Sequence, residues 1–222
     1  MKDLSKYIDH TLLKATVTEA DIIQLCKEAI EYKFCAVCVN GCYVELCNTI
    51  LKQSTVKIAA VIGFPLGAMD MLTKINEAKS AVITGASEID MVMNIGFLKG
   101  KKYDLVESEI RKIKNAIGNN ILKVIIETCY LTDEEKKTAT QLCINAGADF
   151  VKTSTGFGTN GATIEDVVLM KSIAQNYIKI KASGGIRDYE TALKYIEIGV
   201  ERIGTSNGIH IISEQKDPDE NY

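Results

Sequence analysis

The sequence is short of the residues that most often announce a metal or hydrolytic site. Two histidines, His10 and His210, occur in 222 residues, and neither lies in an HExxH or paired-histidine spacing. A histidine-rich metal centre is therefore not expected, and a Ser-His-Asp triad has few candidates. Long hydrophobic runs are also missing. The longest uncharged stretches, such as Ile58 to Met69, fall short of the ~18 apolar residues that a membrane span needs. The opening Met1-Lys2-Asp3-Leu4-Ser5-Lys6 has no apolar signal core, so a cytoplasmic location is expected. Charge of one sign is not in excess: 26 Lys and Arg stand against 29 Asp and Glu, with no basic arm or stripe for nucleic acid. Neither nucleic acid nor a membrane is an expected partner. With two prolines and no Pro/Ser-rich linker, residues 1–222 are expected to form a single domain with a short polar tail over about 213–222.

What is present is ordinary in bulk and informative in detail. A chain with 46% hydrophobic and 25% charged residues is poorly described as disordered, collagen-like or coiled-coil. Seven cysteines, an odd number, disfavour a complete disulfide framework. Cys35, Cys38, Cys42 and Cys47 read like a metal cluster, but Phe34-Cys35-Ala36-Val37-Cys38-Val39 has the composition of a strand. Strand residues three apart point to opposite faces, so one tetrahedral ion cannot take both Cys35 and Cys38. Small buried thiols in a reducing compartment are expected, and no metal.

Short β-branched runs alternate with helix-patterned segments along the chain. The runs are Phe34–Val39, Val56–Ile62, Glu88–Met93, Leu122–Glu127, Asp149–Thr153, Ile178–Ser183 and Val200–Gly204, with a shorter eighth near Tyr7–Asp9. Thr18–Asp21, Thr132–Glu135 and Thr163–Asp166 each match a capping box at a helix start. Gly85, Gly118, Gly147 and Gly199 fall where the helices should stop. Strand–helix repetition of this kind requires parallel strands with crossover helices. The fold class is therefore α/β, and a closed (β/α)8 TIM barrel with outer helices fits the length best; an open doubly wound sheet is the alternative.

The anomaly is lysine inside strands. Alternation places Lys152 in Phe150-Val151-Lys152-Thr153-Ser154 on the face opposite Val151. In Ile178-Lys179-Ile180-Lys181-Ala182-Ser183 the apolar residues belong against helices, which turns Lys179, Lys181 and Ser183 inward. By the same logic Asp90 points inward from Glu88-Ile89-Asp90-Met91-Val92-Met93. A buried structural ion pair, or lysines snorkelling to the rim, would explain any one of these. Together they suggest chemistry. Ammonium groups on neighbouring strands, about 6 Å apart, repel by about 3 kcal/mol at an effective dielectric near 20. That lowers a lysine by roughly two pKa units and leaves a neutral fraction near pH 8. A neutral amine attacks carbonyl carbon, so imine chemistry without metal or cofactor is expected.

Two glycine-bearing loops, Ser183-Gly184-Gly185-Ile186-Arg187 and Ile203-Gly204-Thr205-Ser206-Asn207-Gly208, follow what would be the seventh and eighth strands. Barrel enzymes frequently hold phosphate there, on amides and helix N-termini. A literal GxGxxG, Gly156-Phe157-Gly158-Thr159-Asn160-Gly161, keeps a nucleotide-binding alternative open. A dinucleotide fold would want an acidic residue at the end of the next strand, where this chain has Ile178-Lys179-Ile180-Lys181.

Asp149–Phe157 and Lys179–Arg187 resemble the corresponding stretches of deoxyribose-phosphate aldolases, and the likeness runs through nearly the whole chain. It includes Ile8-Asp9-His10-Thr11-Leu12-Leu13, Ala36–Asn40, Ile62-Gly63-Phe64-Pro65, Glu88–Val92, Lys123–Thr128 and Arg202–Ser206. The resemblance implies a (β/α)8 barrel and reversible cleavage of 2-deoxy-D-ribose 5-phosphate to acetaldehyde and D-glyceraldehyde 3-phosphate. It puts the Schiff-base lysine at Lys152, the second lysine at Lys181 and the proton-relay aspartate at Asp90, and has the phosphate rest near Gly156, Gly184, Gly185, Gly204 and Ser206. A homodimer or larger homo-oligomer is implied, with a sugar phosphate as the small-molecule partner.

The match has departures. Some members carry a phosphate-holding lysine where this chain has Phe157, which loosens phosphate selectivity unless Arg187 compensates. Some use a terminal tyrosine as a mobile proton donor, a role open to Tyr222. Asp9 is a weaker candidate for the relay, and His10 reads as a local hydrogen-bonding residue. Two rivals stay open: another lysine-imine barrel enzyme with a different donor, and a phosphate-binding barrel without catalysis.

Overall fold

A computed structural model describes residues 3–214; Tyr222 and most of the expected polar tail lie outside them. Over the described residues the elements run β1 (Ile8–Leu12), α1 (Glu19–Glu31), β2 (Ala36–Asn40), α2 (Val44–Leu51), β3 (Lys57–Ile62), α3 (Met71–Thr84), β4 (Glu88–Val92), α4 (Ile95–Lys99) and α5 (Tyr103–Ile117). They continue with β5 (Ile121–Ile125), α6 (Asp133–Asn145), β6 (Phe150–Lys152), α7 (Ile164–Ala174), β7 (Lys179–Ser183), α8 (Tyr189–Glu197), β8 (Arg202–Thr205) and α9 (Gly208–Glu214). Every strand pairs in parallel with its sequence neighbours and β8 closes on β1, so the sheet is a closed barrel and the open-sheet alternative falls. Among the described residues no helix is long and apolar enough to cross a membrane.

Alternation along the strands divides the core in two. Val37, Ile58, Ile89, Met91, Val124, Val151 and Ile180 face outward into one continuous core beneath the helices. Each helix offers a matching stripe; in α5 the buried positions Val106, Ile110, Ile113 and Ile117 recur every three or four residues. Burying a side chain of that size contributes about 1.5–3 kcal/mol as an upper figure. Inside the barrel, the sector under β2 and β3 is apolar, with Leu13, Cys38, Ala59 and Val61 packed together. Charged side chains share the rest with Val92, Ile125 and Phe150.

Helix starts follow the hydroxyl signals with one correction. Thr18 with Asp21 and Thr132 with Glu135 form full capping boxes. Thr163 accepts from the Asp166 amide, but the Asp166 carboxylate does not return the bond; it pairs with Lys136 of α6 at 2.6 Å. An ion pair between neighbouring helices takes the place of the second half of the box.

A second buried ion pair braces β4 from outside. Lys74 of α3 donates to Glu109 of α5 at 2.8 Å and to the Val92 carbonyl at 3.0 Å, with both side chains almost fully buried. Burial lowers the Lys74 pKa and raises that of Glu109, each opposed by its partner.

Candidate active site

The C-terminal ends of the strands open onto a cavity of about 350 Å³. Lys152 lines it, and so do Gly156, Gly184, Gly185, Gly204 and Ser206, the positions expected to hold phosphate. Lys14 and Arg187 add positive charge to its walls, and no carboxylate occurs among the described lining residues. Gly184 and Gly185 take φ of 86° and 83°, a left-handed turn that aims backbone where a side-chain-bearing residue would be strained. The loops are tied down by short polar contacts: the Ser183 hydroxyl donates to the Ser154 carbonyl at 2.5 Å, and the Thr205 hydroxyl to the Ile186 carbonyl at 2.7 Å. Phe157 is half exposed at the mouth, edge-on to Phe64 at 5.2 Å between ring centres.

Gly161, the last glycine of the GxGxxG, has a packing explanation. A Cβ on Gly161 would lie 2.2 Å from the Gly184 carbonyl oxygen, and the Ala162 amide donates to the Ser183 and Gly184 carbonyls at 3.0 and 3.1 Å. Gly161 is the point where the loops after β6 and β7 touch.

Beneath Lys152 lies a buried ionic cluster. The Asp90 carboxylate accepts from three lysines: Lys123 at 2.7 Å, Lys152 at 2.8 Å and Lys181 at 2.8 Å. Asp9 takes Lys181 at 2.5 Å and Arg202, and Glu88 takes Lys123 at 2.5 Å and Arg202 at 2.6 Å. Four cations, Lys123, Lys152, Lys181 and Arg202, thus contact three carboxylates, Asp9, Glu88 and Asp90. Lys152 is the member that reaches the cavity, and Asp90 is its one ion-pair partner among the described residues. Asp90 and Lys181 are fully buried below it.

The strands explain the meeting. Register sets Asp90 level with Lys123 on β5 and Lys152 level with Lys181 on β7, all on the inner face. Burial alone would raise the Asp90 and Asp9 carboxyls, but the surrounding lysines hold both well below the ordinary carboxylate range. Burial alone would likewise discharge Lys181; Asp9 and Asp90 outweigh it and keep its pKa above the ordinary lysine value. This corrects the electrostatic expectation. The two ammoniums do not simply face each other, because one Asp90 oxygen accepts from both and offsets their repulsion.

Asp90, Lys152 and Lys181 are brought together as expected, and Asp9 belongs to the same cluster. Lys123, Glu88 and Arg202 were missed. Lys123 carries the signal that exposed the other two lysines, a charge flanked by Leu122 and Val124 in a strand. Glu88 lies two residues before Asp90 on the same face. Cys38 points into the barrel with its thiol 3.9 Å from Asp90, and burial followed by that carboxylate raises its pKa. His10 is held by Glu28 at 2.8 Å and packs on Phe34, in keeping with a local hydrogen-bonding role.

The family model of the DeoC/LacD family aldolases matches residues 4–211. The chain belongs to that aldolase family. Among its relatives, deoxyribose-phosphate aldolase of Finegoldia magna is 56% identical over 210 residues, which cover 95% of this chain and 99% of that protein. The enzyme of the same name from Caldicellulosiruptor saccharolyticus is 55% identical over 216 residues, 96% of this chain and 98% of that one. The tetrameric deoxyribose phosphate aldolase of Aeropyrum pernix superimposes with a TM-score of 0.89 at 32% identity, covering 96% of this chain and 91% of the other.

Proposed function

We propose that this aldolase reversibly cleaves 2-deoxy-D-ribose 5-phosphate to acetaldehyde and D-glyceraldehyde 3-phosphate through an imine on Lys152. The observation that carries the reading is the arrangement of one carboxylate under three lysines, of which Lys152 alone lines a cationic cavity. When Lys152 gives up a proton, three cations remain against three carboxylates, and the buried cluster is balanced in charge.

The neutral amine adds to the aldehyde carbon of the open-chain sugar, and loss of water forms the iminium. A base takes the proton of the 3-hydroxyl, the C2–C3 bond breaks, and its electron pair moves towards the iminium nitrogen. Glyceraldehyde 3-phosphate departs, leaving a two-carbon enamine on Lys152. Asp90 and Lys181 pass a proton to the terminal enamine carbon; hydrolysis then releases acetaldehyde and restores the amine. The 5-phosphate rests against Gly156, Gly184, Gly185, Gly204 and Ser206, with Lys14 and Arg187 supplying positive charge. The working protein is a cytoplasmic homodimer or larger homo-oligomer, a reading supported by the tetrameric Aeropyrum pernix relative. A monomer mass by light scattering would overturn that part.

The deciding experiment is intact mass after incubation with acetaldehyde and borohydride, on wild type and Lys152→Ala in parallel. One two-carbon adduct on wild type, mapped to Lys152 and missing from the variant, is expected. A folded wild type that forms no adduct would sink the mechanism, and an adduct persisting in the variant would move the nucleophile to another lysine.

A further inference from the structure

Glu127 is a buried carboxyl that the mechanism above does not use. It sits just beyond β5, 3% exposed, with its backbone in the left-handed region at φ 52° and ψ 69°. A non-glycine residue is strained there, and a carboxyl is costly to bury, so the fold retains two unfavourable features at one position. The carboxylate is held by Thr155, with the Cys129 thiol 4.0 Å from one of its oxygens. The two carboxylate oxygens accept from the Thr155 amide at 3.2 and 3.3 Å, and one also accepts from the Thr155 hydroxyl. The Thr155 hydroxyl oxygen in turn accepts from the Phe157 amide at 3.0 Å. Beyond it, Gly158 folds so closely over the carboxyl that a Cβ there would lie 3.2 Å from Glu127 Cδ and 2.7 Å from Cys129 Sγ. Between the clamped residues lies Gly156, exposed, left-handed at φ 86°, and part of the cavity wall.

We infer that Glu127 is a positioning residue for the anionic end of the substrate: through Thr155 it fixes the loop after β6 in the shape that presents Gly156 to a phosphoryl group. The naming of the ligand rests on the aldolase reading above. Glu127 touches neither substrate nor reacting atoms in this role. Its effect is on binding of the phosphorylated end, so it separates a sugar phosphate from the free sugar.

The test uses the full-length protein in five forms: wild type, Glu127→Ala, Glu127→Gln, Thr155→Val and Thr155→Ser. Glycerol 3-phosphate is titrated into each by calorimetry, and kinetics are run with 2-deoxyribose 5-phosphate and with 2-deoxyribose. Glu127→Ala and Thr155→Val should each weaken glycerol 3-phosphate about tenfold, the size of one lost charge-assisted hydrogen bond. The KM for the phosphorylated sugar should rise by the same factor, with kcat within about twofold and the free sugar little affected. Thr155→Ser, which keeps both donors, should bind as wild type, and Glu127→Gln should fall between. Unchanged affinity in both Glu127→Ala and Thr155→Val, or equal losses on phosphorylated and free sugar, would overturn the inference. If Glu127→Ala does not fold, Thr155→Val removes the hydroxyl bond of the same clamp from its other end. A wild type that binds glycerol 3-phosphate but traps no acetaldehyde would refute the aldolase reading while leaving the clamp readable by calorimetry.

Discussion

Replacing Asp90 by Asn removes one charge and almost no volume from the centre of the barrel. Asp90 accepts from three ammonium groups at 2.7, 2.8 and 2.8 Å and is fully buried. At an effective dielectric near 20 each contact is a gross attraction of about 6 kcal/mol, most of which offsets the cost of desolvating the ions. Breaking a buried pair by neutralising one member costs about 3–5 kcal/mol net. Against a total stability of about 5–15 kcal/mol for a domain, Asp90→Asn should fold but unfold at distinctly lower urea. Its chemical effect should be selective. Acetaldehyde should still be trapped on Lys152 by borohydride, because the nucleophile and cavity remain. Proton transfer at the enamine carbon should fall by about 10²–10⁴, the usual contribution of a positioned acid or base. Deuterium wash-in to the acetaldehyde methyl group, followed by NMR in heavy water, reads that step directly. Wild-type wash-in by a folded Asp90→Asn would refute the relay, and a stability loss below about 1 kcal/mol would refute the account of the cluster.

The remaining predictions concern acid, phosphate and the outer ion pair. Asp9 and Asp90 are held below the ordinary aspartate value of 3.8, so the stability they contribute is fully present above that pH and drains as pH falls below it. Glu109 and Glu127, raised by burial, favour the folded state as pH falls, but the two aspartates have the larger displacement. The urea midpoint at about pH 3 should therefore lie well below that at about pH 6, and equal midpoints would contradict the charge assignment. Phe157→Lys adds a cation to the mouth beside Gly156 and should lower the KM for the phosphorylated sugar several-fold at low salt, an advantage that fades at high salt. A KM that does not move at low salt would place the phosphate elsewhere. Glu109→Ala leaves the Lys74 ammonium buried without its carboxylate and should cost about 3–5 kcal/mol in a urea titration. Wild-type stability in that variant would mean that water reaches the pair.

Most of the barrel is legible because two periodicities alternate along the chain. All eight strands fall within a few residues of the expected runs; β1 differs most, extending over Ile8–Leu12 where the run was placed near Tyr7–Asp9. The ionic cluster is legible wherever a charge interrupts a strand, as at Asp90, Lys152 and Lys181. The same signal is present at Lys123, but its run ends at Glu127 and the two charges look like ordinary strand-edge residues in sequence. Arg202 and Glu88 escaped for another reason. Both begin their strands, where sequence cannot tell an exposed rim from an inward contact. The sign of the lysine interaction was also beyond the sequence, because it depends on one Asp90 oxygen lying within 2.8 Å of two ammoniums. Glu127 reads in sequence as the end of a strand; its left-handed backbone and its carboxylate bond to Thr155, 28 positions away, are visible only in the fold.

The crossing at Gly161 and Gly184 bears on how this mouth can change over generations. With a Cβ at Gly161 only 2.2 Å from the neighbouring carbonyl oxygen, even alanine would wedge the two loops apart. The loops belong to the strands that carry Lys152 and Lys181, so such a wedge would separate these two lysines. The wall around β3 and β4 has a crossing of its own, since a Cβ on Gly67 would lie 2.1 Å from the Met93 carbonyl oxygen. Both walls are thus confined to one backbone path where their loops cross, and a new acceptor specificity would have to arise by exchanging side chains between the crossings.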